Sequence, residues 1–93
     1  MKITYDFNKN QKNISNRNLS FDEAINLDWE TALFEEDTRK QYSEKRFVGA
    51  GLLNGRLHII CFTPIDNGIR VISFRKANKR EVKKYEETKT INE

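Results

Sequence analysis

The chain has 93 residues, with 17 Lys+Arg against 14 Asp+Glu, one His, one Cys, one Pro and four Gly; from this length a single domain over residues 1–93 is expected, and a multi-domain enzyme is not. Leu, Ile, Val and Phe together make up 24 residues, above the roughly one-fifth share below which charged chains stay disordered, so the chain is expected to fold, with a frayed tail from about residue 88 to 93. Its core will be thin, because a chain this short hides only about 60–65% of its unfolded surface, and a partner would add stability.

Ile3 and Tyr5 alternate with polar residues as in a short strand. Asn8 can then cap a helix over Lys9–Asn16, ending near Asn18, a residue type that tolerates a left-handed backbone. Ser20-Phe21-Asp22-Glu23 reads as a capping box opening a second helix, with Phe21, Ala24 and Ile25 on one narrow apolar face. From Thr31 the period changes to two: Thr31–Phe34 reads as a strand running into an acidic loop, Glu35–Asp37, and Arg46–Leu53 as the next strand. Asn54-Gly55 supplies the two positive φ angles of a type I′ hairpin turn, so the strand from Leu57 is the antiparallel neighbour of the one before it. Pro64 is expected to stop that strand, Asp66-Asn67-Gly68 to turn, and Ile69–Phe74 to form a third strand. Asn78, with Glu81 three residues on, caps a basic C-terminal helix reaching about Glu87. The expected fold class is α+β: an antiparallel β-meander with N-terminal helices and a basic C-terminal helix, the helices on one sheet face and the other face free to bind.

Cys61 alone can form neither an internal disulfide nor a multi-thiolate metal site, and its flanks Ile60 and Phe62 read as buried packing. No P-loop, Gly-x-Gly-x-x-Gly, His-Glu-x-x-His or Cys-x-x-Cys motif occurs, so neither a cofactor nor a metal is expected. No apolar run of signal-peptide length follows Met1, and nowhere do about 18 apolar residues run together, so a cytoplasmic protein that does not span a membrane is expected.

The net charge of +3 hides a segregation: residues 1–20 carry +3, residues 21–44 carry -6, and residues 70–84 carry +6. Clustered Lys and Arg are the footprint of a polyanion partner. Alternation places Arg70 and Ile72 on one strand face and Val71 and Ser73 on the other, which sets Arg70 beside apolar neighbours, where an anion would satisfy it. Arg75, Lys76, Lys79 and Arg80 follow at the strand end and first helical turn. There bases oppose the helix dipole and a phosphate would relieve them. Lys83 and Lys84 read as a solvated face. His58, with an ordinary pKa near neutrality, suits proton transfer or, as the favoured reading for a lone histidine, an exposed strand position. Tyr85 reads as packing beside Val82 with a hydroxyl able to reach a phosphate, and Glu81 as a cap first and a base second. The acidic segment reads as a solvated helix and loop, or as a device in which residues 35–44 repel RNA from one face.

Several of these residues carry a resemblance. Arg46-Phe47-Val48, Gly51, Asn54-Gly55-Arg56-Leu57, Phe62-Thr63, Arg70-Val71-Ile72-Ser73-Phe74-Arg75-Lys76-Ala77, Glu81 and Tyr85-Glu86, with Tyr5-Asp6, Lys9, Asn13, Ser20-Phe21 and Ala24 before them, resemble the BrnT family of bacterial toxins over about residues 3–87. The resemblance implies a RelE-like fold and a ribonuclease that halts translation by cleaving RNA. It also implies neutralisation by a BrnA-like ribbon-helix-helix antitoxin, through which the complex binds operator DNA. Where the family usually has Lys-His-Gly, this chain has Asn16-Arg17-Asn18, so no base or acid comes from that histidine; it is structural in the family, or Arg17 takes a charge-stabilising role, or activity is weakened.

On this reading cleavage needs no metal, because the RNA 2′-OH can attack the adjacent phosphate while the protein orients it, neutralises charge and assists proton transfer. Arg70 and Arg75 are assigned to the transition-state phosphate, and Lys76, Arg80, Lys79 and Lys9 to the RNA backbone. His58 or Tyr85 is assigned to proton transfer. The alternative is a non-catalytic nucleic-acid-binding module resting on the same basic block.

Overall fold

The computed structural model describes residues 1–92. Strand β1 (Lys2–Tyr5) leads into helix α1 (Phe7–Arg17) and a 3-10 helix at Phe21–Asn26, followed by strands β2 (Leu33–Glu36), β3 (Phe47–Leu53), β4 (Arg56–Ile65) and β5 (Gly68–Lys76) and helix α2 (Lys79–Asn92). β2 to β5 form the expected antiparallel meander, and β1 joins it in parallel beside β5, giving a five-stranded mixed sheet in the order β1-β5-β4-β3-β2. The purely antiparallel expectation is thereby corrected. The chain leaves β1 by way of the helices and β2 on the far edge, so β1 meets β5 running the same way.

Local signals act where they were read. Asn18 closes α1 in the left-handed region at φ 54, and Asn54 and Gly55 turn the hairpin at φ 50 and φ 80. The helix start is shifted: Asp6, not Asn8, caps α1 by accepting from the Lys9 amide at 2.9 Å. Ser20 accepts from the Asp22 amide, and the helix it opens is a tight 3-10 helix. β4 runs past Pro64 to Ile65. β3 begins opposite Phe62, which leaves β4 a neighbour on one side only at Pro64, an edge position where a missing N–H is tolerated. α2 passes the expected end at Glu87 to reach Asn92; Glu93, the last residue of the expected frayed tail, lies outside the described residues.

Register decides the two faces, because residues directly opposite one another point to the same side. Ile60 and Phe62 of β4, with Val71 and Phe74 of β5, pack against Phe21, Ala24 and Leu27, forming the core with Leu53 and Ile69. Ile3, Tyr5, Leu19, Trp29 and Phe47 close its margin. The other face carries Val48, Ala50, Ile59 and Cys61, and α2 crosses it: Glu81, Lys84, Tyr85 and Thr88 look across a gap onto Leu33, Val48, Ala50 and Ile59. Helices therefore flank both faces of the sheet rather than one, because the reversal at Ala77-Asn78 sends α2 across the outer face.

The β4–β5 pairing holds one irregularity. Cys61 is opposite Ser73 but Phe62 is opposite Val71, so Ile72 is an extra residue. Such a bulge breaks the alternation of the strand that contains it. Val71 stays in the core at 2% exposure, while Arg70 pairs with Thr63 and Ser73 with Cys61 on the outer face. The expectation that Arg70 shares a face with Ile72, opposite Ser73, is corrected on this ground.

The β1–β5 register can be tested at Gly68, where a methyl group would overlap the Lys2 backbone carbonyl. Gly68→Ala is expected to cost about 1–3 kcal/mol, each kcal/mol lowering Tm by roughly 4–8 °C in a domain of this size. Thermal unfolding followed by circular dichroism checks this, and an unchanged midpoint contradicts the register.

Candidate functional site

Three side chains of β5 now share the outer face: Arg70, Ser73 and Arg75, opposite Thr63, Cys61 and Ile59. Neither arginine is alone. Arg75 forks onto Glu81, its Nη1 donating to Oε1 at 2.8 Å and its Nη2 to Oε2 at 2.9 Å. Glu81 is held for this role by the helix cap, since its Oε1 accepts from the Asn78 amide and the Asn78 side chain accepts from the Glu81 amide, both at 2.9 Å. The Arg75 guanidinium holds the Glu81 carboxyl well down, at about 2, and its own pKa is raised by the same hydrogen bonds. Arg70 donates to Glu44 at 3.0 Å in a pair exposed on both sides, an arrangement typically worth about 0–1 kcal/mol and readily exchanged.

Beside Ser73 lies a pocket of about 210 Å³ between α1 and β5, lined by Lys9, Lys12, Asn13, Asn16, Arg17, Phe21, Ile72 and Ser73. Helical spacing of three and four places these α1 residues on one face. β1 stops at the Tyr5–Val71 pair, so α1 rather than a strand covers the β5 edge from Ile72, where Asn13 Nδ2 donates to the Phe74 carbonyl at 3.0 Å. The sequence offers Lys9 for the RNA backbone and Arg17 for a charge-stabilising role as one of three alternatives; Lys12 and Asn13 join them only in the structure, although the helical spacing and the +3 charge of residues 1–20 point there.

The remaining sequence-derived residues scatter. His58 is on the core face, 3% exposed and beside Phe74, with Nδ1 2.8 Å from the Arg56 carbonyl. A carbonyl can only accept, so Nδ1 carries the proton, and burial pushes the imidazole pKa down. The exposed position expected for it is corrected, and it is separated by the sheet from Arg70 and Arg75. Lys76 is opposite His58 and exposed, as are Lys79 and Arg80 at the start of α2. Tyr85 is half-buried over the gap beneath α2 and donates to the Thr31 carbonyl at 3.0 Å. Cys61 is half-buried on the outer face, and burial pushes its thiol pKa up.

The acidic segment is neither a plain loop nor a uniformly solvated face. Glu35 and Glu36 belong to β2. Asp37 is buried, receiving two side-chain donors from Arg39 at 2.9 and 2.8 Å and the Tyr42 hydroxyl at 3.2 Å, and these hold its carboxyl well below the usual range. Asp37 therefore ties down the connection that delivers Glu44 to Arg70.

The family model for the ribonuclease toxin BrnT of type II toxin-antitoxin systems matches residues 5–81, a span running from β1 through the β5 arginines to Glu81. The chain belongs to the BrnT family of ribonuclease toxins. No curated protein matches it.

The Arg75–Glu81 fork predicts a pH dependence. The Glu81 carboxyl is depressed from 4.5 to about 2, so the pairing contributes stability above pH 4.5 that is lost as pH falls towards 2. Thermal midpoints of wild type and Glu81→Gln should differ most above pH 4.5 and converge as the pH drops through that interval; a gap independent of pH contradicts the assignment.

Proposed function

We propose that this chain is a metal-independent endoribonuclease of RelE-like architecture that cleaves RNA in the cytoplasm, inhibits translation, and is neutralised by a BrnA-like ribbon-helix-helix antitoxin, operator DNA being bound only through that complex. The observation that carries the reading is the bulge at Ile72, which sets Arg70, Ser73 and Arg75 on one face. Two guanidiniums on one face suit the negative charge that builds on the non-bridging phosphate oxygens as the 2′-oxygen attacks and the 5′-oxygen leaves. Arg70 exchanges Glu44 for the phosphate. Arg75 keeps Glu81, which fixes its plane, and offers its remaining donors. Lys79 and Arg80, exposed at the start of α2, take neighbouring phosphates, with Lys76 on the flank.

The 2′-OH proton passes to a non-bridging phosphate oxygen of the RNA and from there to the departing 5′-oxygen, directly or relayed by the Tyr85 hydroxyl, since His58 is buried on the other face. That burial is also the observation favouring the second reading, a nucleic-acid-binding module without cleavage. Incubating RNA with purified protein in EDTA separates the two: the first predicts cleavage, the second binding without it. Expression alone should arrest bacterial growth, and Arg70→Ala and Arg75→Ala should each relieve the arrest and lower cleavage at least ~100-fold, the scale of losing one transition-state donor. Intact RNA after incubation with wild type overturns the proposal.

A further inference from the structure

Among the described residues, the ion pairs are Arg39–Asp37, Arg70–Glu44 and Arg75–Glu81. The pocket between α1 and β5 is built differently. Lys9, Lys12 and Arg17 line it, and none of its other lining residues is acidic. Positive charge is gathered there without a carboxylate to answer it, whereas both β5 arginines already have one.

The pocket also has a fixed donor geometry. Asn13 Nδ2 donates to the Leu19 carbonyl at 2.9 Å and to the Phe74 carbonyl at 3.0 Å, which locks the amide and points its Oδ1 away from both. That oxygen accepts from Arg17 Nε at 3.3 Å, so the guanidinium is turned toward the pocket by its inner edge and its two terminal nitrogens are left for a forked contact. Ser73, turned to the surface by the bulge, adds a hydroxyl on the opposite wall. At about 210 Å³ the pocket is smaller than the roughly 300–1,000 Å³ cavities that enclose drug-sized ligands, a size for one phosphodiester group.

We infer that this pocket holds a phosphate of the bound RNA next to the one handled by Arg70 and Arg75, with Arg17 as its forked ligand, Lys9 and Lys12 as its flanking charges, and Asn13 as the residue that positions Arg17. The inference rests on the ribonuclease reading and extends it, because Ser73 belongs to both sites and the bulge sets the two side by side. It gives the RNA a path from the β5 arginines over Ser73 to the α1 face.

The test uses the full chain and a fluorescent, fully 2′-O-methylated RNA oligonucleotide, which cannot be cut, titrated over a range of salt. Lys12→Ala and Arg17→Ala should each weaken binding roughly five- to tenfold and reduce the slope of log K against log salt by about 0.7, the value for one single-strand phosphate contact. Arg17→Lys should restore the slope and only part of the affinity, since an ammonium keeps the charge but not the fork. Both side chains are exposed, so circular dichroism and thermal midpoint should match wild type. Unchanged affinity and slope in Lys12→Ala and Arg17→Ala, with Arg70→Ala still abolishing cleavage, overturns the pocket alone. A wild-type protein that neither binds nor cuts RNA overturns both readings.

Discussion

The rest of the structure depends on one extra residue in β5. A sheet strand cannot place positions 70, 73 and 75 on one face while keeping 71 and 74 in the core unless its alternation is broken once, and the bulge at Ile72 breaks it between the two sets. On one side of the break, Val71 packs inward beside Phe62; on the other, Phe74 packs beside Ile60. The same irregularity thus satisfies the core and gathers the polar side chains outside it. It also marks where β1 stops and α1 takes over the edge of β5, so the basic pocket begins where the ladder ends.

Charge on this surface is organised by what each base has been given to hold. Arg75 is anchored by a carboxylate that is itself a helix cap, so one residue, Glu81, joins the start of α2 to the sheet and sets a guanidinium plane. Arg70 has a weaker, exposed partner delivered by the connection between β2 and β3, whose own geometry is fixed at Asp37. The α1 bases have no acidic partner in their pocket. These three grades of neutralisation, anchored, exposed and absent, distinguish bases that a count of net charge treats alike.

Features set by a few neighbouring residues are legible in the sequence. Asn54-Gly55, Asn18 and the reciprocal Asn78–Glu81 box act within four residues of chain, and each appears in the structure as the side-chain chemistry dictates. The antiparallel order of β3, β4 and β5 followed from the turns between them. What could not be read depends on partners distant in sequence: the parallel β1–β5 pair, the crossing of α2 over the outer face, and the burial of His58 against Phe74. The bulge belongs with these, because nothing in Arg70–Phe74 alone shows that Val71 and Phe74 must both face inward. Of the candidate site, the identity of the β5 arginines was visible in the motif; their common face and the Asn13–Arg17 arrangement emerged only from packing.

The parallel pairing of β1 with β5 carries a consequence for the order of assembly. Thr4 and Ile69, joined across the pair, are 65 positions apart, so the edge of the sheet closes only once the chain has been made through β5, and closing so large a loop comes late and slowly compared with the hairpins. α1 reaches the β5 edge through the same closure. During synthesis the meander's turns can form as they emerge, yet the α1–β5 pocket stays unmade until β5 has left the ribosome. A chain cut short before β5 therefore carries Lys9, Lys12 and Arg17 on α1 but lacks the strand wall, Ile72 and Ser73, that makes a pocket of them.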